Sequence, residues 1–202
     1  MRSTTRLILA VVLLGAAGAC GSGRTSAIDG LRGVKFAPPH AKNDFTLVDT
    51  DGKPFHFVND TRGSVTLLYF GYTNCPDVCP TTLATFKQVF AKLEAAGVAD
   101  KVRFDFISVD PQRDTPEQLA KYVGYFDKDF VAATGSDEEL TRVTRALGLI
   151  YSRESTANGD YAVDHSASAV LIDPAGREVG LFRPPFDASA IAADLATLAG
   201  SR

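Results

Sequence analysis

Two features that would assign a function at once are missing from this 202-residue chain, and two residue types are scarce or absent. Lysine and arginine form no run and the formal net charge is −3, so the sequence lacks the basic patch typical of nucleic-acid binding. No apolar stretch reaches the ~20 residues that a membrane-spanning helix needs. Cysteine is scarce, with three residues in all, and tryptophan is absent. The 45% hydrophobic and 22% charged residues indicate one globular domain with extensions.

The N-terminus reads as a targeting segment. Arg2 and Arg6 precede the apolar run "LILAVVLLGAAGA", which has the length of a secretory signal core. The small residues before Cys20 fit an ordinary signal peptidase site, and the run also resembles the bacterial lipobox, although Ala17 stands where that motif prefers leucine. An unpaired exported thiol would be a liability, which favours lipidation. We therefore predict a signal peptide over 1–19 and a lipid anchor at Cys20.

The chain after this segment divides into a tether and a domain. Residues 20–43 begin with "GSGRTSAIDG" after Cys20 and close near Pro38-Pro39, which indicates a flexible tether reaching roughly 25 Å. Residues 44–202 are the predicted folded domain. The expected location is the extracytoplasmic face of a bacterial membrane.

The domain alternates strand and helix patterns. "FTLVDTDGKPFHF" predicts a hairpin around Asp51-Gly52, while "SVTLLYFGY" and "VRFDFISVD" predict buried strands. "SASAVLIDPAGREVGLF" predicts two further strands across a turn. One helix should run from Pro80 to Gly97, and three more should begin at Thr115, Ser136 and Asp187. The order favours an α/β fold with a central mixed sheet flanked by helices.

Two cysteines stand four positions apart in "YFGYTNCPDVCPTTL". Cys75 and Cys79 lie on the predicted strand-to-helix turn, where unpaired N–H groups of the helix stabilise a thiolate. On a helical turn their Cα atoms would be about 6.2 Å apart, within reach of a disulfide. Because so short a ring removes little unfolded-state entropy, stability is a poor reason for the pair. The two thiols can form a redox disulfide or hold one metal ion.

Any metal site needs a third ligand, and the chain has three histidines. His56 alternates with phenylalanines on the hairpin and should face solvent, and His40 lies in the tether. His165 stands at the entrance to a buried strand, where a histidine alone would more often be structural. Two thiolates with one imidazole suit copper, as trigonal Cu(I) or as Cu(II) with an added ligand, whereas structural zinc prefers a fourth protein ligand.

Three blocks resemble the signature blocks of the Sco/SenC copper proteins, in the same order: "YFGYTNCPDVCPTTL", "FISVDPQRDTPEQLAKYV" and "DYAVDHSASAVLIDPAGR". The resemblance implies a thioredoxin-like fold and copper ligation by Cys75, Cys79 and His165. It also implies a membrane-tethered metallochaperone that assists assembly of the dinuclear copper centre in cytochrome c oxidase subunit II. Expected partners are that subunit or another copper chaperone.

The alternative function is a thiol–disulfide reductase acting on the cysteines of the oxidase copper site. The spacing of Cys75 and Cys79, the missing tryptophan before them and the presence of His165 speak against it as the main activity. Asp110 and Arg113 are interpreted as structural, shaping the loop after the second buried strand. Asp77 and Asp164 flank the predicted ligands, and strand alternation should direct Asp164 away from His165.

Overall fold

The computed structural model describes residues 31–40, 44–156 and 160–200. The strands are β1 (Val34–His40), β2 (Thr46–Asp49), β3 (Pro54–His56), β4 (Val65–Gly71), β5 (Val102–Ser108), β6 (Val131–Thr134), β7 (Tyr151–Ser155), β8 (Tyr161–His165), β9 (Ala169–Ile172) and β10 (Glu178–Phe182). The helices are α1 (Phe57–Asp60), α2 (Val78–Ala95), α3 (Pro116–Phe126), α4 (Asp137–Ala146) and α5 (Ala188–Gly200), with a 3₁₀ turn at Ala99–Lys101.

Eight strands form one mixed sheet in the order β1-β10-β9-β4-β5-β6-β2-β3. β4 runs parallel to β5, and β5 parallel to β6, whereas the remaining pairs are antiparallel. Within the described ranges, the other two strands, β7 and β8, pair only with each other, as a separate antiparallel hairpin. The predicted mixed sheet flanked by helices, with a hairpin near its N-terminus, is confirmed.

The core is centred on β4, whose seven residues are all buried. A continuous apolar run without alternation is what a strand covered on both faces requires. Helix α2 buries Leu83, Phe86, Val89 and Leu93 at helical spacing and packs against α5. The C-terminal end of the central strand therefore leads, through the turn at residues 72–77, into a helix that is packed against the core.

The predicted helix caps are present. Thr115 and Gln118 form a complete capping box, with hydrogen bonds of 3.3 and 3.0 Å. The Ser136 hydroxyl accepts the first-turn N–H of Glu139 at 3.2 Å. Asp187 accepts two backbone N–H groups at the start of α5, at 2.8 and 3.0 Å, and these bonds lower the pKa of Asp187. Local sequence signals thus place three helix starts correctly.

The prediction of a flexible tether through residue 43 is wrong for the stretch that forms β1. Val34 pairs with Leu181 on β10, and His40 lies 3.0 Å from the buried carboxylate of Glu178. The stretch contains two prolines, which an edge strand tolerates, and its order comes from a partner over 140 positions away. The predicted signal peptide and Cys20 lie outside the described residues.

Several further details differ from the sequence prediction. Helix α2 begins at Val78, so Pro80 occupies its first turn rather than its first position. Strand β6 and the hairpin of β7 and β8 were not predicted as such. Within the described ranges, no helix combines the length and apolar character needed to cross a bilayer.

Candidate metal centre

The turn after β4 presents the first cysteine. Its backbone is held by Asp114, a buried residue whose carboxylate accepts the Thr73 N–H at 2.9 Å and the Thr73 hydroxyl at 2.5 Å. The Cys75 N–H then donates to the carbonyl of Tyr72 at 3.3 Å. These bonds close a tight turn that leaves Cys75 half-buried at the protein surface.

The second cysteine lies in the first turn of α2 and is fully buried. The Cys79 N–H points at the Cys75 sulfur, 3.3 Å away. Both cysteines are free thiols. The predicted helix N-terminus therefore meets a sulfur, as expected from the spacing of the two residues.

The two sulfurs differ in acidity. The pKa of Cys75 lies well below that of an ordinary thiol, because its thiolate accepts a hydrogen bond from Cys79 and others from the backbone N–H groups of Asp77 and Cys79. The pKa of Cys79 is raised, because it is the donor in that sulfur pair and because it is buried. Before a metal arrives, the pair thus offers one half-buried thiolate and one fully buried thiol.

The third candidate ligand arrives from the separate hairpin. His165 ends β8, and its Nε2 lies 3.5 Å from the Cys79 sulfur. Its Nδ1 lies 3.2 Å from the carbonyl of Ser166; because a carbonyl can only accept, Nδ1 carries the proton and Nε2 keeps its lone pair for the site. The rings of Tyr69 and Tyr72 meet the imidazole edge to face, with centroids 6.1 and 5.9 Å away.

The three predicted ligand atoms converge. The sulfurs of Cys75 and Cys79 and a ring nitrogen of His165 all lie within 4.8 Å of one another, although 86 positions separate Cys79 from His165. Across the part of the chain that the structure describes, no other group of three histidine, cysteine or acidic side chains is placed to hold an ion. Two soft sulfurs and one imidazole on one side of an ion fit copper.

The site opens to solvent on the Cys75 side. A groove of about 350 Å³ is lined by Cys75, Asp77, Val78, His165 and Ala167, among others. Cys79 forms the closed end of the site, since its side chain is inaccessible. An ion or an incoming sulfur ligand can therefore approach Cys75 and His165 from outside while Cys79 remains covered.

The remaining sequence candidates lie elsewhere or play other parts. His56 is exposed, as predicted, and pairs with the hydroxyl of Thr46 at 3.1 Å. Asp164 is exposed on the face of β8 opposite His165, as strand alternation predicted. The Asp77 carboxylate lies 3.4 Å from the Thr81 hydroxyl in the first turn of α2.

Sequence reasoning missed what supports the histidine. Asp110 and Arg113, interpreted only as shaping their own loop, contact Tyr161 at the start of β8. The motif "DPQRDTP" indicates an arginine beside acidic residues. It does not predict that these residues contact Tyr161, some 50 positions later in the chain.

The fold is that of a thioredoxin-like domain, and its two thiols and one imidazole form a candidate metal site. The chain belongs to the SCO1/SenC family, whose model matches residues 35–200. It is 40% identical over 136 residues to the mitochondrial SCO2 homologue of Bos taurus, covering 67% of this chain and 51% of that protein. The chain thus spans about half the length of this relative.

Solved structures of the family superpose on this chain. ScoI of Bradyrhizobium japonicum with copper bound is 37% identical, with a TM-score of 0.70, covering 78% of this chain and 98% of that one. A SCO1/SenC family lipoprotein of Bacillus anthracis is 27% identical, with a TM-score of 0.69 and coverages of 80% and 96%. BsSco, described as having a disulfide switch and as a member of the Sco family of cytochrome c oxidase assembly proteins, is 26% identical, with a TM-score of 0.65 and coverages of 81% and 96%.

Proposed function

We propose that this chain is a copper metallochaperone that carries copper on Cys75, Cys79 and His165 and assists assembly of the dinuclear copper centre of cytochrome c oxidase subunit II. The observation that carries the proposal is the convergence of two sulfurs and one imidazole nitrogen within 4.8 Å at the mouth of a groove. Two related proteins also support the proposal: ScoI, whose structure has copper bound, and BsSco, a member of the Sco family of cytochrome c oxidase assembly proteins.

The unequal thiols suggest how copper is loaded. The Cys75 thiolate, which lines the open groove and is stabilised by the start of α2, meets the ion first. Cys79 then loses its proton as its sulfur joins, and the free lone pair of His165 Nε2 completes a three-ligand set. Loading therefore releases protons and weakens at low pH. Cu(I) and Cu(II) both suit these donors.

Release to an acceptor follows from the same geometry. Because the groove reaches Cys75 and His165 but not Cys79, an acceptor's sulfur or imidazole can replace the outer ligands while the ion is still held by Cys79. The acceptor we propose is the copper site of oxidase subunit II, with another copper chaperone as the second candidate. Exchange of one ligand at a time keeps the ion coordinated throughout.

A reductase role is the second candidate, favoured by the lowered pKa of Cys75 beside a buried partner. The Cys75 thiolate would attack a target disulfide and release one target thiolate. Cys79, once deprotonated, would then attack the Cys75 sulfur of the mixed disulfide and release the second target thiolate. The target gains two electrons and the chain ends with a Cys75–Cys79 disulfide. The switch described for BsSco supports the ability to cycle.

We further propose that the mature chain begins at a lipidated Cys20 and is held on the extracytoplasmic face of the membrane. The apolar run before Cys20 supports this, as does the likeness to the Bacillus anthracis lipoprotein. Mass spectrometry of the membrane fraction tests it: we expect an acylated N-terminal cysteine. An unmodified chain released from the membrane would contradict the anchor and leave the copper proposal intact.

Oxidase assembly in cells separates chaperone from reductase. We expect His165→Ala to abolish copper insertion into the oxidase while the purified variant still cycles between dithiol and disulfide. His56→Ala is the matched control, since His56 is exposed and away from the thiols, and it should behave as wild type. Full oxidase copper content in the His165→Ala strain would instead establish the reductase role and overturn the chaperone.

A further inference from the structure

One loop contacts both parts of the candidate metal centre, the cysteine turn and the hairpin that carries His165. It follows β5 and runs from Asp110 to Asp114. At its far end, Asp114 binds Thr73, two residues before Cys75, through the N–H and the hydroxyl of that threonine. Asp114 also accepts the Ser108 hydroxyl at 2.5 Å. Since Asp114 is 1% exposed, these buried charge-assisted bonds fix the backbone of the cysteine turn.

The near end of the loop binds the hairpin. Asp110 is fully buried and accepts the Arg113 Nε and the Tyr161 hydroxyl, each at 2.5 Å. Arg113 also donates to the carbonyl of Tyr161 and to the carboxylate of Asp160, each at 3.1 Å. Its guanidinium carbon lies 3.8 Å from the centroid of the Tyr161 ring. The start of β8 is thus held by hydrogen bonds and by a cation–π contact.

Strand β8 transmits this attachment to the histidine. Tyr161, Val163 and His165 alternate along the strand and therefore share one face, and Val163 is buried between them. Among the strands that the structure describes, β7 and β8 pair with none of the main sheet, and a two-stranded hairpin alone is at best marginally stable in water. The position of His165 consequently depends on what fastens the hairpin.

We propose that Asp110, Arg113 and Tyr161 form a clamp that positions His165 over the two thiols. Arg113 acts as a positioning residue: it touches neither sulfur nor imidazole, but it joins the segment that holds the cysteine turn to the strand that carries the histidine. The inference rests on the proposed function, in which His165 is a copper ligand. It adds three residues that determine copper retention without binding copper.

The test uses the full chain in detergent, loaded with copper and challenged with a chelator. Arg113→Lys keeps the charge but loses the planar fork, and Tyr161→Phe removes one hydroxyl and little else. We expect copper retention to fall roughly tenfold or more in Arg113→Lys and less in Tyr161→Phe, in the range seen for residues that orient metal ligands. Hydrogen exchange at Tyr161–His165 should accelerate in both variants without copper.

A matched control comes from the other end of β5. Arg103 binds the buried Asp105 at the same 2.5 Å, yet its further bond goes to the carbonyl of Asp60 and not to the hairpin. Arg103→Lys should disturb an equivalent ion pair and leave copper retention and hairpin exchange as in wild type. An equal loss of copper in this variant would mean that general destabilisation, and not the clamp, controls retention.

A double mutant separates positioning from structural damage. If Arg113 acts through His165, Arg113→Lys should cost nothing further in the His165→Ala background. Full additivity there, or wild-type copper retention in Arg113→Lys beside a damaged His165→Ala, would overturn the clamp alone. Wild-type retention in His165→Ala would overturn the ligand set, and the clamp's role in metal binding with it. Tyr161→Phe keeps the clamp falsifiable if Arg113→Lys does not fold.

Discussion

The two halves of the candidate metal centre, the cysteine turn and the hairpin that carries His165, differ in how they are attached to the fold. The thiols lie where β4, a fully buried strand with β5 and β9 on either side, passes into α2. The imidazole is carried by a five-residue strand of a separate two-stranded sheet. Displacement of Cys79, which is buried in the first turn of α2, would strain the core. A displaced histidine would strain only the hairpin and its attachments.

This contrast suggests that the cysteine turn and the hairpin have different roles within one site. A dithiol fixed by the core keeps both sulfurs ready for metal binding or oxidation, whatever the hairpin does. The histidine lies on an appended hairpin held by side-chain contacts rather than by the main sheet, and local openings of such elements require far less free energy than global unfolding. For the copper carrier proposed above, which must also release its cargo, one movable ligand would be an advantage.

The largest effect should follow loss of a thiol. Cys75→Ser and Cys79→Ser each remove a soft ligand from the fixed half, so copper affinity should fall by more than ~100-fold, beyond the loss typical of residues that only orient ligands. Both variants should also lose dithiol–disulfide cycling. Chelator competition and a thiol-exchange assay measure the two properties.

The matched control for the cysteine variants is Val78→Ala, which alters the same turn without removing a donor atom and should retain copper. Wild-type affinity in either cysteine variant would show that the thiols are not both ligands.

A single methyl group should distinguish the rigid half from the appended one. A Cβ added at Gly71 would lie 2.8 Å from the Phe106 ring and 3.0 Å from the Cys79 sulfur. Gly71→Ala should therefore lower the free energy of unfolding by about 1–3 kcal/mol and weaken copper binding by displacing that sulfur. Thermal unfolding and chelator competition report the two effects.

Two variants serve as controls for Gly71→Ala. Gly124 on α3 has no atom within 4 Å of such a Cβ, so Gly124→Ala should raise the free energy of unfolding by about 0.5–1 kcal/mol. Ala162→Val, on the exposed outer face of the hairpin, should change neither property. Unchanged copper binding in Gly71→Ala would contradict a rigid thiol half.

The smallest predicted effect concerns the two thiols themselves. Because the pKa of Cys75 is lowered, its thiolate persists as the pH falls, and alkylation by iodoacetamide should change little between about pH 8 and pH 6. Cys79 is buried and has a raised pKa, so it should react at least roughly tenfold more slowly than Cys75. Peptide mass spectrometry after timed quenching gives both rates. A Cys75 rate that drops about tenfold per pH unit, as for a free thiol, would contradict this assignment.

Local patterns predicted much of the fold. The hairpin of β2 and β3, the buried strands β4 and β5, and the starts of α3, α4 and α5 all follow from hydrophobic periodicity and capping residues. The cysteine spacing indicated a reactive dithiol, and the resemblance to a known family added His165 as its partner. The convergence of the three side chains agrees with that expectation, although their role as copper ligands remains a prediction.

What the sequence could not predict depends on distant partners. β1 has two prolines and little periodicity, and its order comes from pairing with β10. The hairpin of β7 and β8 is short and polar, and its attachments include the contacts of Arg113 and Asp110 with Tyr161. Each contact joins residues at least 48 positions apart, and no local pattern records such a pairing.

Copper titration of the reduced protein, wild type beside His165→Ala, tests the central claim most directly. We expect the wild type to bind a single copper ion tightly through two sulfurs and an imidazole. The variant should lose at least about tenfold in affinity and show a spectrum of sulfur ligation without imidazole, while its dithiol still oxidises and is reduced as in wild type. Equal affinity and an unchanged spectrum in His165→Ala would contradict a site completed by the hairpin histidine.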